Sequence, residues 1–468
     1  MDLHFEENNN QSLKRFEKML RTDSVYFFDS AEFERIIHFY IDNGKINLAK
    51  KAIALGLEQH PDAANLRLLK AELFILEESF DEALELLSEI EALEPSNEEV
   101  YIQKAMLLSK QEKHEEAILL LNKVLELQEE ATIDVLSLIA MEYLFLEKFE
   151  RALLYFRNCL EIDSQDVTTL YNVVYCYDMI DQPEEAITFL KQFIEKEPYS
   201  ETAWHQLGRQ YVFLDELIEA LKAFDYAILI DDQFVGAYLE KAKTLESLKR
   251  YEEAIANYLI TTEIEDPSAF AFLRIGFCYE QLKKKDDAIA YYLKSNEQDP
   301  FLDKPLIALA DLYYKAEEYQ KTLFYINKLI TIDDENPKYW KIYAQSNLKI
   351  AFFEEAGKAF QKCLDLDDNS LDVHLSLADT YYFLGDYKDA IKVLLNAEVF
   401  YHRQAEIEYR LSGLYFLLKS NTLGVKYLQN ALHINAREYR IFQRLFPVIH
   451  HSSGVRTILQ NFRNSTSF

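Results

Sequence analysis

Apolar positions along the chain recur at helical spacing, and one short phrase keeps returning. FDEALELL at 80–87 is echoed by HEEAILLL (114–121), FERALLYF (149–156), PEEAITFL (183–190), LIEALKAF (217–224), YEEAIANY (251–258), KDDAIAYY (285–292), FEEAGKAF (353–360) and YKDAIKVL (387–394). The period is 34 residues, with a single extra residue near Thr132. Numbering the phrase's alanine as position 20 defines twelve units: 30–63, 64–97, 98–131, 133–166, 167–200, 201–234, 235–268, 269–302, 303–336, 337–370, 371–404 and 405–438. Ten carry Ala at position 20, with Thr322 and Gly424 in the other two. Position 8 is small in ten units, Ile37 and Val174 being the exceptions, and position 11 is Tyr in eight.

Within a unit, positions 4, 7, 8 and 11 fall on one stripe of a first helix, and 20, 24 and 27 on one stripe of a second. Small residues at 8 and 20 let the two helices approach closely, while aromatic side chains fill the wider gaps. Pro61, Pro95, Pro198 and Pro300, or Asp163, Asp231, Asp333 and Asp367, end second helices. The pattern predicts an all-α chain of helix-turn-helix units. Residues 12–20 read as a helix within a 29-residue N-terminal segment, and EENNN as disordered. Residues 439–468 read as basic capping helices, since the last unit of such an array exposes an apolar face.

The unit Glu201–Phe234 carries Trp204, Leu207, Gly208, Tyr211, Ala220, Phe224 and Ala227 at positions 4, 7, 8, 11, 20, 24 and 27, and Trp340 repeats the position-4 tryptophan. In these residues the chain resembles the tetratricopeptide repeat (TPR) family, over 409 of its 468 residues. Most units lack Trp at 4, and the third, eleventh and twelfth lack the terminal Pro or Asp. The resemblance implies a right-handed superhelical solenoid of about twelve 34-residue units, with first helices on its concave side and peptide contacts at positions 2, 5, 9, 12 and 13. It points to a bacterial-type, cytoplasmic multi-repeat protein. No unit has the Asn at position 9 that the family's dicarboxylate clamp needs, so recognition of a chaperone C-terminus is not expected.

Charge narrows the partners. Formal net charge is −30, yet from Arg403 onward nine Lys or Arg face three Asp or Glu, so the preceding residues carry −36. Such an acidic surface disfavours nucleic acid and anionic membranes. The acidic start does not read as a signal peptide, and no run of eighteen apolar residues predicts a membrane span.

Candidate chemistry is sparse. Cys159 and Cys363 fall at position 27, and Cys176 and Cys278 at position 10, where small apolar side chains pack. DLDDNSLD at 365–372 starts like a calcium loop, but Ser370 and Ser376 replace the turn glycine and closing glutamate. His450 and His451 lack a third ligand at helical spacing. No catalytic set, cofactor site or metal site is predicted, and a non-enzymatic protein is expected.

Positions 2, 5, 9, 12 and 13 supply the candidate partner site. Units four to six place Met141, Leu144, Phe145, Tyr171, Tyr175, Met179, His205, Arg209, Val212 and Phe213 there; units nine and ten place Lys304, Lys315, Lys338, Lys341 and Lys349. Both groups also admit structural readings, as buried packing and as solvated charge. The function expected is a scaffold or adaptor binding a protein or peptide with apolar anchors and acidic residues, homo-oligomerisation through the C-terminal cap being compatible. The alternatives are a peptide-responsive regulatory sensor, for which the 29 residues before Ser30 leave no room for an effector domain, and, last, an enzyme with chemistry inside the repeats.

Overall fold

The computed structural model describes residues 12–21, 26–128, 131–265 and 268–466; EENNN lies outside them. The chain divides into two compact units, Met1–Phe234 and Val235–Phe468. In the first, α1 (12–21) precedes six helix pairs. These are α2/α3 (Ser30–Asp42, Ile46–Gln59), α4/α5 (Ala64–Leu76, Phe80–Leu93), α6/α7 (Glu98–Lys110, His114–Leu127), α8/α9 (Ile133–Phe145, Phe149–Ile162), α10/α11 (Val167–Met179, Pro183–Lys196) and α12/α13 (Glu201–Phe213, Leu217–Ile230). The second unit holds α14/α15 (Val235–Ser247, Tyr251–Ile264), α16/α17 (Ala269–Gln281, Lys285–Gln298), α18/α19 (Asp303–Lys315, Tyr319–Ile332), α20/α21 (Pro337–Lys349, Phe353–Asp365), α22/α23 (Leu371–Leu384, Tyr387–Phe400) and α24/α25 (Ala405–Leu417, Asn421–Asn435). It closes with α26 (Tyr439–Leu445), α27 (Pro447–His450) and α28 (Ser453–Thr466). No strand occurs among the described residues.

The helix pairs are welded at their small positions. All ten position-20 alanines, and Thr322, are fully buried. Gly208 faces the Phe224 ring so closely that a β-carbon would collide with it, and a β-carbon at Gly276 would sit 2.6 Å from the Tyr292 ring. Beyond this contact, the position-11 ring meets a position-23 ring in five repeats: Tyr143–Tyr155, Tyr177–Phe189, Tyr279–Tyr291, Tyr313–Tyr325 and Tyr415–Tyr427, at 5.3–5.9 Å between centroids. Such pairs add about 0.5–1.5 kcal/mol beyond the area they bury.

Trp204 ties two repeats together. Its Nε1 donates to the Pro198 carbonyl at 3.1 Å, and Trp340 donates likewise to Asp334 at 2.7 Å. Tyr101, at the same position 4, donates to Pro95 at 2.8 Å. In each case the end of one repeat is tied to the first helix of the next.

The turn inside every repeat is the same object. Position 15 has a positive φ, from +54° to +87°, in all twelve, although only Gly44 and Gly385 are glycine. The N–H of position 16 then donates to the position-11 carbonyl at 2.8–3.1 Å in all twelve. This is a left-handed helix end that satisfies a terminal carbonyl.

The array is closed at its N-terminal end by α1, whose Phe16 is buried against Phe28, Phe33 and Tyr40. At the other end Phe462 of α28 meets His433 of α25 at 5.3 Å, and Val455 is buried. Two substitutions test this account. Ala351→Gly relieves the left-handed turn and should raise stability by about 1 kcal/mol. Gly208→Val forces the α12–α13 contact apart and should cost about 1–3 kcal/mol. Urea midpoints followed by circular dichroism read both, and shifts of the opposite sign would overturn the assignment.

Candidate functional site

In each repeat the first helix buries one stripe against its second helix, and positions 2, 5, 9, 12 and 13 lie off that stripe, some of them exposed and others, such as Leu68, Ile75 and Leu375, buried. On α8, α10 and α12 the face they form carries a group of apolar side chains, interleaved with polar ones such as Asp178 and Arg209. Phe145, Tyr171, Tyr175, Met179 and Phe213 are between 38% and 69% exposed, and Met141, Leu144 and Val212 are half-buried. Position 17 of the preceding repeat props these rings. His114 stacks on Phe145 at 5.2 Å, its Nδ1 lying 2.8 Å from Glu142 Oε2, and Phe149 meets Tyr175 edge-on at 6.3 Å. Between α6 and α8 the face deepens into a cavity of about 300 Å³, lined by Met106, Leu138, Met141 and Phe145 with Lys110 and Ser109 at its edge.

His205 departs from the sequence expectation. It is 7% exposed, its ring set against Phe234 at 5.0 Å and Phe224 at 5.9 Å, so it serves packing rather than a surface. A position-5 side chain this short is covered from both sides by aromatic neighbours, which the helical period alone does not reveal. Arg209 is exposed, with Nη1 donating to Gln206 at 3.3 Å.

The lysines belong to the second unit. Lys304, Lys315, Lys338 and Lys349 are exposed and Lys341 is half-buried. Lys315 pairs with Glu280 at 3.7 Å and Lys341 with Asp372 at 2.9 Å, both carboxylates lying on neighbouring first helices. Burial pushes the Asp311 carboxyl on α18 up, partly offset by Lys315. The cluster is thus smaller than the sequence suggested. Lys304, Lys338 and Lys349 have no ion pair among the described residues.

Sequence reasoning missed the buried pairs between first helices. Arg410 on α24 makes a bidentate pair with Asp379 on α22 at 2.8 and 2.9 Å, and Arg274 on α16 does the same toward Glu246 on α14. The available signal was an arginine at position 6 following an acid at position 9 or 12 one repeat earlier.

Four tetratricopeptide-repeat family models match the chain, at residues 74–141, 39–98 and 168–200, and, for the fourth, at 133–166, 235–259, 271–301 and 371–397. Together they span a little more than half of it. The chain belongs to the tetratricopeptide repeat family. Its architecture is that of a protein-interaction scaffold. No curated protein matches it.

Among solved structures, this TPR chain is similar to MamA, with 26% identity, covering 36% of this chain and 92% of that one at a TM-score of 0.32. It is also similar to YrrB, described as a TPR protein with an unusual peptide-binding site (14% identity, 39% and 94% covered, TM-score 0.35). A third is the C-terminal part of a TPR repeat-containing protein from Cytophaga hutchinsonii (15% identity, 52% and 99% covered, TM-score 0.42).

The cysteines, the acidic 365–368 stretch and His450 of the TPR chain sit in packed or turn positions. All four cysteines are free and buried, and burial pushes their thiols up, to about 11 for Cys159 and about 12 for Cys176, Cys278 and Cys363. The acidic 365–368 stretch ends α21, with Asp367 at φ +64° and Asp368 accepting from the Ser370 N–H. His450 Nδ1 lies 2.6 Å from the Tyr439 hydroxyl, and burial, with His451 and Arg456 nearby, pulls its imidazole down. Among the described residues no group of three or more His, Cys, Asp or Glu side chains converges as metal ligands, and no helix is long and apolar enough to cross a membrane.

A thiol so far above neutral and enclosed is a poor nucleophile. Native protein mixed with a thiol-reactive disulfide at pH 8 should release far less than one equivalent before unfolding, and four in denaturant. Rapid labelling of the folded chain would contradict the buried assignment.

Proposed function

We propose that the chain is a non-enzymatic adaptor that binds a polypeptide segment on the free face of α8, α10 and α12. The observation that carries this reading is that Phe145, Tyr171, Tyr175, Met179 and Phe213 are exposed on three successive first helices of a chain with net charge −30. An apolar strip in so charged a surface costs solubility, and its usual compensation is a partner that buries it. Methionines let the strip adapt to more than one apolar shape, while the propped rings give it rigid anchors. The cavity beside Met141 is large enough to receive one bulky side chain of the partner.

In the second unit, taken by itself, Lys304, Lys338 and Lys349 favour acidic peptide segments, since each presents a cation with no ion pair among the described residues. Lys341 contributes less, being already held by Asp372. Four free cysteines fit a reducing, cytoplasmic setting.

A displayed library of random peptides, selected on purified full-length protein, tests the site. Selected peptides should carry apolar anchors at helical spacing. The Tyr175→Ala, Met179→Ala, Phe213→Ala triple variant should weaken them at least tenfold, or about 1.4 kcal/mol, with unchanged circular dichroism. Lys338→Glu with Lys349→Glu should weaken chiefly the acidic peptides, and less so at high salt. Peptides that bind the triple variant as well as the native chain would move the site elsewhere.

A further inference from the structure

The segment after the last repeat, YRIFQRLFP at 439–447, places Tyr439, Phe442 and Phe446 three and four residues apart, on one side of a helical turn. Its helix α26 is only seven residues long and is stopped by the Phe446–Pro447 step, and α27 is four residues. Isolated helices this short are unstable in water, so their conformation is imposed by what they lie on.

What they lie on is the free face of the last two first helices. Tyr409 at position 5 of α24 is fully buried, its ring 5.9 Å from Tyr439 and 6.5 Å from Phe442, and its hydroxyl donates to the Asn435 carbonyl at 3.0 Å. Gly413, at position 9, leaves the space that Phe446 fills, and a β-carbon there would run into that ring. Tyr382, at position 12 of α22, meets Phe446 edge-on at 5.0 Å and donates to the Leu445 carbonyl at 2.7 Å. Positions 9 and 13 of α10, Tyr175 and Met179, show that this side of a first helix can stand open to solvent elsewhere in the chain.

Capping of α25 alone does not explain this placement. Phe462 of α28 meets His433 of α25, whereas α26 packs mainly on α24. Arg440 and Arg444, on the outer side of α26, are exposed and make no ion pair among the described residues, so the docking is aromatic and not electrostatic.

We propose that the free face of α22 and α24 is a binding site for a short helix bearing aromatic side chains at i, i+3 and i+7. Residues 439–446 are its resident occupant, and a partner segment of the same aromatic pattern takes their place. The site is formed by a missing side chain at Gly413, an aromatic wall at Tyr382 and Tyr409, and a hydroxyl that captures one carbonyl of the ligand. It is a helix-in-groove mode in which the chain carries its own competitor. The proposal shares with the preceding one only the premise that free faces of first helices bind; Tyr175, Met179 and Phe213 lie outside it, so either can fail alone.

The test uses the full-length chain and a fluorescein-labelled synthetic peptide of residues 439–452. Phe442→Ala with Phe446→Ala empties the site of its occupant and leaves the receiving face intact. By fluorescence anisotropy this variant should bind the peptide at least tenfold more tightly than the native chain does, and adding Gly413→Leu should abolish the gain. Equal binding by both, or binding by neither, overturns the proposal. Hydrogen exchange on the native chain decides the matter even if the variant is misfolded. Amides of 439–450 should exchange at least tenfold faster than those of α24, and exchange of both as one unit would make the segment a fixed part of the fold. Light scattering that shows a dimer with the segment exchanged between chains would overturn the proposal in favour of a second copy as occupant.

Discussion

Close approach of two helices at positions 8 and 20 is the contact on which the rest of this protein depends. A fully buried alanine in ten repeats brings each second helix against its first, and the rings at positions 11, 23 and 24 then have a gap of fixed width to fill. Where position 8 shrinks to glycine, as at Gly208 and Gly276, the ring at 24 moves in to take up the space. Burying that stripe commits one side of each first helix and leaves the opposite side with no structural duty inside its own repeat. A repeat therefore needs only a few fixed residues, and the free face can vary in character from one part of the chain to another.

That variation was largely legible in the sequence, because register alone says which side chains leave the core. Phe145, Tyr175, Met179 and Phe213 were identified by counting positions, and they are exposed where counting put them. His205 was not legible: its burial depends on Phe224 and Phe234, and the period of a single helix says nothing about which neighbours close over it. The left-handed residue at position 15 was invisible for a different reason. Glu, Asp, Lys and Ala occupy it as readily as Gly, so geometry repeats there while residue type does not. The C-terminal segment was readable as amphipathic, but an apolar stripe does not name the surface that receives it.

Charge behaves less simply than the net value suggests. Acids and bases on neighbouring first helices cancel in pairs, as Lys315 with Glu280, Lys341 with Asp372 and Arg410 with Asp379. The half-exposed pairs contribute little to stability. The buried bidentate pair between Arg410 and Asp379 instead fixes the register of α24 against α22, because its geometry tolerates little sliding. It lies in the same two helices whose free face receives Phe446.

The uniform turn has an electrical side. In the first unit its left-handed position holds Glu78, Glu112, Glu147, Asp181 and Asp215 in five consecutive repeats, while the second unit has Lys249, Lys283 and Lys419 among its six. The turns of the first unit thus repeat a carboxylate at one position, although Lys113 and Lys148 stand directly beside Glu112 and Glu147. Like charges so placed repel one another, and dissolved salt shortens the reach of that repulsion. Salt therefore weakens the repulsion among these exposed carboxylates, and does so most over the longest separations.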